Sequence, residues 1–260
     1  MTAKLGKVFA LVCGLAMFAV WAAPARAQMS EVKEKPPMYS YISFWNIPRG
    51  QWAEMGKADA ADQNVVEKAL ASGTIVGYGF DTALLHQPDG STHDQWWSAM
   101  SMSGLLSVLD QFYKSGSATT PVLGSATKHW DNIYVSRYYN WHPGSWKDLY
   151  TSASCFKLKA DAPSNAIDTL SKNVFVPLLE KMMAEGAIHE YEVDTEAYHT
   201  QPVGTFCVVE LVPNAEALDK ISAAIRDSFK SNPTYGPAFE SMVDWTGHRD
   251  DLARTTAAYK

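Results

Sequence analysis

Thiols are scarce in this chain. Three cysteines occur in 260 residues, Cys13, Cys155 and Cys207, and none stands in a Cys-x-x-Cys pair, which excludes thiolate zinc modules and a multi-bridge disulfide framework. Basic residues are outnumbered: 22 Lys and Arg face 28 Asp and Glu, a formal charge of −6, with no basic stripe. That is the wrong sign for nucleic acid or anionic lipid as a partner. The glycine-serine nucleophile elbow, the phosphate-cradling glycine loop, the dinucleotide fingerprint and His-Glu-x-x-His are all missing. The commonest hydrolase, kinase, dehydrogenase and metalloprotease chemistries therefore have no support, and no metal site is expected.

A long apolar run occurs once, from Val8 to Ala23. Lys4 and Lys7 precede it, and Pro24 and Ala25-Arg26-Ala27 follow. That order is a secretory signal cleaved before Gln28, and the run is short for a span of about 20 residues. The expectation is an exported protein, periplasmic or secreted, free of the membrane once residues 1–27 are removed, with residues 28–38 as a flexible lead-in. Losing Lys4, Lys7 and Arg26 takes the formal charge from −6 to −9.

What is present is a duplication. Val65 to His86 and Leu178 to His199 align without a gap at an offset of 113, identical at 9 of 22 positions, among them Gly73/Gly186, Tyr78/Tyr191, Asp81/Asp194 and His86/His199. Two copies of one supersecondary unit follow from this. Periodicity fills in each copy. The first has strand Tyr39 to Ile47, helix Trp52 to Ser72 closed by Gly73, strand Ile75 to His86, turn Gln87-Pro88-Asp89-Gly90, strand Gln95 to Met100, helix Gly104 to Lys114 and strand Asn132 to Trp141. The second has strand Ser152 to Lys159, helix Ser164 to Glu185 interrupted at Pro177, strand Ile188 to His199, turn Gln201-Pro202-Val203-Gly204, strand Thr205 to Val212, helix Ala215 to Phe229 and a final strand in Asp250 to Lys260, where strand propensity is weak.

The predicted fold is α+β: two tandem ferredoxin-like β-α-β-β-α-β modules, residues 39–142 and 150–260, packed sheet to sheet as a pseudo-symmetric α/β barrel, since an isolated unit would leave one sheet face and two edges bare. The order of elements, the glycine-capped helix running into Gly-x-Ile-x-x-Tyr and the tandem copy resemble the dimeric α/β-barrel superfamily, which includes stress-responsive barrel proteins and antibiotic-biosynthesis-type monooxygenases. In that superfamily two chains usually associate; here one chain supplies both halves, so a monomer or weak homodimer is expected.

Alternation divides the second strand of each copy into two faces. Val76, Tyr78, Phe80 and Leu84 suit the underside of the helices. Gly77, Gly79, Asp81 and Ala83 then face inward, as do Glu190, Glu192, Asp194 and Glu196 in the second copy. Glycine at two inward strand positions implies that something needs the space, either a ligand or a bulky side chain such as Trp96 or Trp97. The four acids spread over about 20 Å, too far to share one ion, and read either as cross-strand charge pairs or as a polar-ligand site. Cys155 shares parity with Lys157 and Lys159, and Cys207 with Val209 and Leu211, so the two thiols are expected on opposite faces and free.

These observations predict an internal cavity for a small apolar or aromatic molecule. Phe44, Asn46, Gly77, Gly79, Trp96 and Trp97 would line it, His199 would contribute from the second copy, and His86 and Asp81 would be the catalytic candidates. Each histidine could equally cap its turn. The resemblance implies a cofactor-free oxygenase or isomerase in which His86 or Asp81 removes a proton. It equally admits a haem-binding barrel with His86, His199, His129 or His248 as axial ligand, and a non-catalytic structural or interaction module stays open beside both.

Overall fold

The computed structural model describes residues 32–88 and 90–260; the signal-like segment lies outside them. Nine strands form one antiparallel sheet: β1 (Met38–Asn46), β2 (Gly77–Ala83), β3 (His93–Ala99), β4 (Lys128–Trp141), β5 (Ser145–Trp146), β6 (Leu149–Leu158), β7 (Glu190–Glu196), β8 (Thr205–Val212) and β9 (Val243–Tyr259). Their order is β2-β3-β1-β4-β7-β8-β6-β9-β5, and β2 also pairs with β9. Eight strands thus close into a barrel, with β5 attached to the end of β9. The order β2-β3-β1-β4 recurs as β7-β8-β6-β9. The two runs are hydrogen-bonded at both seams, β4 to β7 and β2 to β9, so they form one continuous wall rather than two stacked sheets. An eight-stranded barrel has room inside for side chains or one small ligand.

Among the described residues seven α-helices cover the outside: α1 (Trp52–Ala71), α2 (Met102–Ser115), α3 (Pro121–Gly124), α4 (Ala166–Leu170), α5 (Val176–Ala184), α6 (Ala215–Ser231) and α7 (Tyr235–Met242). Their limits follow local chemistry. Ser101 and Asn214 cap α2 and α6 by accepting from the N–H groups of Gly104 and Ala217. Gly73 and Gly186 follow the ends of α1 and α5 with φ of +71° and +68°, the left-handed conformation in which helices commonly terminate on glycine. Pro177 cannot donate a backbone hydrogen bond, and a single π-helical turn, Ser171–Phe175, joins α4 to α5 just before it.

Beneath the helices lie two cores. Tyr41, Tyr78, Phe80 and Trp97 pack against Val66, Leu105 and Val108, while Phe156 and Phe206 pack with Leu170, Val174 and Phe239. Glu210 is a buried acid on the same side of β8, paired in register with Tyr191 and Ser152. Burial pushes its carboxyl up to about 8; Ser152 offsets part of this and Asp250 adds to it. Because the folded state favours the neutral acid, this position costs nothing at low pH and costs progressively more as pH rises from the ordinary glutamate range to about 8. Glu210→Gln is therefore expected to raise the melting temperature at about pH 8 and leave it nearly unchanged at about pH 4, measured by thermal melts across that range. Equal shifts at both pH values would rule this out.

Three expectations need correction. Cys155 and Cys207 are not free: they face each other in register on β6 and β8, Cα atoms 4.0 Å apart, and are joined by a disulfide. The parities were right, but Cys207, Val209 and Leu211 point into the barrel beside Cys155, not under the helices. The last strand begins at Val243 rather than near Asp250, held by β6 on one side and β2 on the other. The lead-in is tied down where it is described: Lys35 N–H donates to Arg137 O, and the Tyr139 hydroxyl donates to Pro36 O.

Candidate functional site

The barrel interior holds a cavity of about 100 Å³ that opens to solvent. One wall is apolar, made by Ile42, Phe44, Trp96, Val209, Leu211 and the disulfide. The remainder is dominated by carboxyls.

Asp81 on β2 and Asp94 on β3 are register partners. Trp96 Nε1–H donates to Asp81 Oδ2 at 3.1 Å and Thr151 Oγ1–H donates to Oδ1 at 3.2 Å, with Thr255 bonded to Thr151 behind. Burial raises both carboxyls above the usual aspartate range; the Asp81 charge lifts Asp94 further, while donors hold Asp81 back. Two adjacent carboxyls, Asp81 buried and Asp94 half-buried, cannot both ionise cheaply, so ionisation of one holds the other toward its neutral form. An acid and a base are thereby presented together on the wall of a cavity.

Across the barrel, β7 presents Glu190, Glu192 and Asp194. Lys260, which follows β9, reaches into this row with its side chain fully buried: Nζ lies 2.8 Å from Glu190 Oε1, contacts Glu192 Oε1 and donates to Ser98 Oγ at 3.0 Å. Ser40 and Ser136 donate to Glu192 Oε2. Burial opposes ionisation of Glu192, but the Lys260 charge and hydrogen bonds from Glu190, Lys260 and Ser40 overcome it and hold the carboxyl at about 2. Glu190 and Asp194 are pushed well above their usual ranges by burial and by the Glu192 charge. Lys260 is thus paired with both Glu190 and Glu192, while burial and the Glu192 charge hold Glu190 and Asp194 toward their neutral forms.

The inward glycines are occupied by neighbours. A Cβ at Gly79 would collide with the Trp96 indole, and one at Gly77 with the aliphatic stem of Lys260. The space is filled by side chains, and Lys260 is a second occupant beside the anticipated tryptophan.

Of the residues singled out from sequence, Asp81, Phe44 and Trp96 line the cavity. Trp97 lies on the opposite face, its indole N–H donating to Leu105 O and its ring stacked on Tyr41 at 4.5 Å. Asn46 donates to Gly90 O at 3.1 Å in the hairpin region. His86 follows the end of β2, exposed, with its ring 5.7 Å from Trp52; His199 is likewise exposed beyond β7. Neither histidine lines the cavity, so the structure does not bring them together with Asp81 there. Sequence reasoning missed Asp94, Thr151, Tyr134 and Lys260. A usable signal existed for the first: with Gly79 opposite Trp96 on β3, Asp94 shares that inward parity and falls opposite Asp81.

The cavity residues do not fit a haem. No imidazole lines the cavity, its two sulfurs are bonded to each other, Lys260 is held by two glutamates, and acidic walls oppose the propionates of that group. The other candidate axial ligands lie outside this cavity: His129 lines a second, smaller pocket, stacked on Trp45 and 3.4 Å from Asp131, and His248 lies 3.4 Å from Asp250. Among the described residues no cluster of three or more His, Cys, Asp or Glu is placed to hold a metal ion.

No family model matches the chain, and no curated protein matches it in sequence. Solved structures do resemble it. A provisionally assigned monooxygenase from Fusobacterium nucleatum subsp. nucleatum aligns with TM-score 0.58 and 9% identity, over 87% of this chain and 95% of that one. Another from Lactobacillus acidophilus NCFM aligns with TM-score 0.55 and 12% identity, over 86% and 94%. Looser matches include an anthrone oxidase-like protein, TM-score 0.49 and 10% identity over 86% and 93%. Chlorite dismutase structures are also among them. The chain therefore shares the α+β barrel fold of the two monooxygenase-like structures; at such identities the likeness extends to fold alone.

Proposed function

We infer that this chain is two tandem ferredoxin-like modules fused into one barrel, exported by its signal-like segment, whose interior binds a small, partly apolar molecule and exchanges a proton with it through Asp81 and Asp94. The reading is carried by one observation: two register-paired carboxyls, Asp81 and Asp94, line the same cavity as an apolar wall. A base of raised pKa next to its own acid is the equipment for abstracting a proton from carbon and returning it, the core step of an isomerase and the opening step of a cofactor-free oxygenase. The repeated strand order and the duplicated helix-to-strand segment support the tandem reading.

A thermal-shift screen of aromatic and alicyclic ketones, phenols and quinols tests it. A ligand at about 100 times its dissociation constant should add about 2.7 kcal/mol of stability, and Val209→Phe, which narrows the cavity, should abolish the shift. For any substrate turned over, Asp81→Asn and Asp94→Asn should each lower kcat by about 10²- to 10⁴-fold. A ligand indifferent to Val209→Phe would place binding elsewhere. Unchanged turnover in both aspartate variants would remove the proton-transfer role, and binding without turnover would leave a carrier.

A further inference from the structure

One register row of the cavity wall takes no part in the proton exchange. Across four neighbouring strands, Arg249 of β9 pairs with Cys155 of β6, Cys155 with Cys207 of β8, and Cys207 with Asp194 of β7. All four line the cavity. Register partners on one face keep their Cβ atoms about 5 Å apart, so the Cys155–Cys207 bond lies along the row, with a cation beyond one sulfur and a carboxyl beyond the other. Cys155 is the more open of the two cysteines, 8% exposed against 3% for Cys207. Arg249 lies 2.9 Å from Asp251, a contact that occupies one arm of a guanidinium carrying five N–H donors. At the far end Asp194 accepts from Ser136 Oγ, and burial together with the Glu192 charge holds it toward its neutral, proton-bearing form. Ile42, Tyr134 and Val209 pack around the bond itself.

We propose that the Cys155–Cys207 bond is a reactive site of the cavity, undergoing thiol–disulfide exchange with a compact low-molecular-weight thiol, and that Arg249 and Asp194 serve the two ends of that exchange. The incoming thiolate is drawn by the Arg249 charge and attacks Cys155 Sγ from the β9 side, in line with the bond that breaks. A new bond joins its sulfur to Cys155. The electron pair of the old bond leaves on Cys207, which takes the proton of Asp194. A second thiolate then attacks the small-molecule sulfur of the mixed disulfide and releases Cys155 beside Arg249, whose charge favours the thiolate. In sum, two small thiols are oxidised to their disulfide and the protein bond is reduced to two cysteines; the two protons that the small thiols give up return to Asp194 and Cys155. This chemistry is independent of Asp81 and Asp94 and needs only that a small solute enter the cavity. About 100 Å³ gives room to a thiol of a few heavy atoms and not to a tripeptide.

Timed exposure of the full-length oxidised protein to 2-mercaptoethanol and, separately, to glutathione, at pH 8 without denaturant, tests this by mass spectrometry after quenching with N-ethylmaleimide. The rate with 2-mercaptoethanol is expected to rise in proportion to its concentration and to exceed the glutathione rate about tenfold or more at equal thiolate concentration. Peptide mapping of early samples should find the mercaptoethanol adduct on Cys155 and the maleimide on Cys207. Arg249→Gln and, separately, Asp194→Asn should each slow the native reaction about threefold or more while leaving the rate in denaturant unchanged; a variant that merely loosened the barrel would react faster. One rate shared by both thiols and independent of their concentration would mean that the bond is reached only when the barrel opens, and would overturn the proposal. Adducts forming first on Cys207, or no reduction of the native protein, would overturn it as well. Unchanged rates in both variants would remove Arg249 and Asp194 from the exchange. None of these results bears on proton transfer by Asp81 and Asp94, so the two readings fail separately.

Discussion

Replacing Lys260 with methionine is expected to destabilise the protein by about 3–5 kcal/mol near neutral pH, the usual consequence of removing one partner from a buried ion pair. Methionine preserves most of the stem that fills the space above Gly77, so the loss isolates the charge. The pH dependence follows from the pair's two shifts. Glu192 is depressed to about 2, so its contribution is present above the ordinary glutamate range and is lost as pH falls toward about 2. Lys260 is raised, so its contribution is intact up to the ordinary lysine range. The gap between parent and variant should therefore be widest between about pH 5 and pH 10 and shrink by about pH 3, as chemical denaturation at those pH values would show. Adding Glu192→Gln to the variant should recover most of the loss, because no uncompensated charge then remains. A gap that does not change with pH would mean that the stem, and not the ammonium, matters.

Breaking the Cys155–Cys207 bond should be comparably costly. It closes a loop of sequence separation 52, for which chain-entropy reasoning gives about 4 kcal/mol. The double variant Cys155→Ala/Cys207→Ala should lower the denaturation midpoint accordingly, and the parent in strong reductant should approach it. An unchanged midpoint in both experiments would show that the thiols are unpaired. The bond also forms part of the cavity wall, so the reduced protein should differ from the oxidised one in ligand affinity as well as in stability.

What the sequence revealed and what it concealed have the same physical origin. In β2 and β7 the two faces differ sharply: Tyr78 and Phe80, or Tyr191 and Val193, alternate with glycine or acid, and that contrast located the inner wall correctly. In β8 both faces are buried. Phe206, Val208 and Val212 lie on one side and Cys207, Val209 and Leu211 on the other, so alternation offers no contrast to say which is inside. The disulfide was misjudged for that reason. β9 is long despite mediocre intrinsic propensity because two neighbours, β6 and β2, supply its hydrogen bonds, a tertiary gain that no local window records. The duplicated histidines looked functional by repetition, but β2 and β7 end at Ala83 and Glu196, leaving His86 and His199 on the surface beyond them. Lys260 had no local signal: its burial depends on Gly77 and on two glutamates far away in the chain.

The closing seam has a temporal consequence. Thr256 donates to Phe80 O across 176 residues of sequence, and among the described residues no other strand pairs with the edge of β2 that it covers. A chain emerging in order must expose that edge, together with the acidic interior behind it, until nearly all of β9 has arrived. Contacts of such separation form late and slowly, and unpaired strand edges attract other chains in the meantime. Closure of the cavity therefore has to await β9, and the nascent protein should be most vulnerable to aggregation just before it.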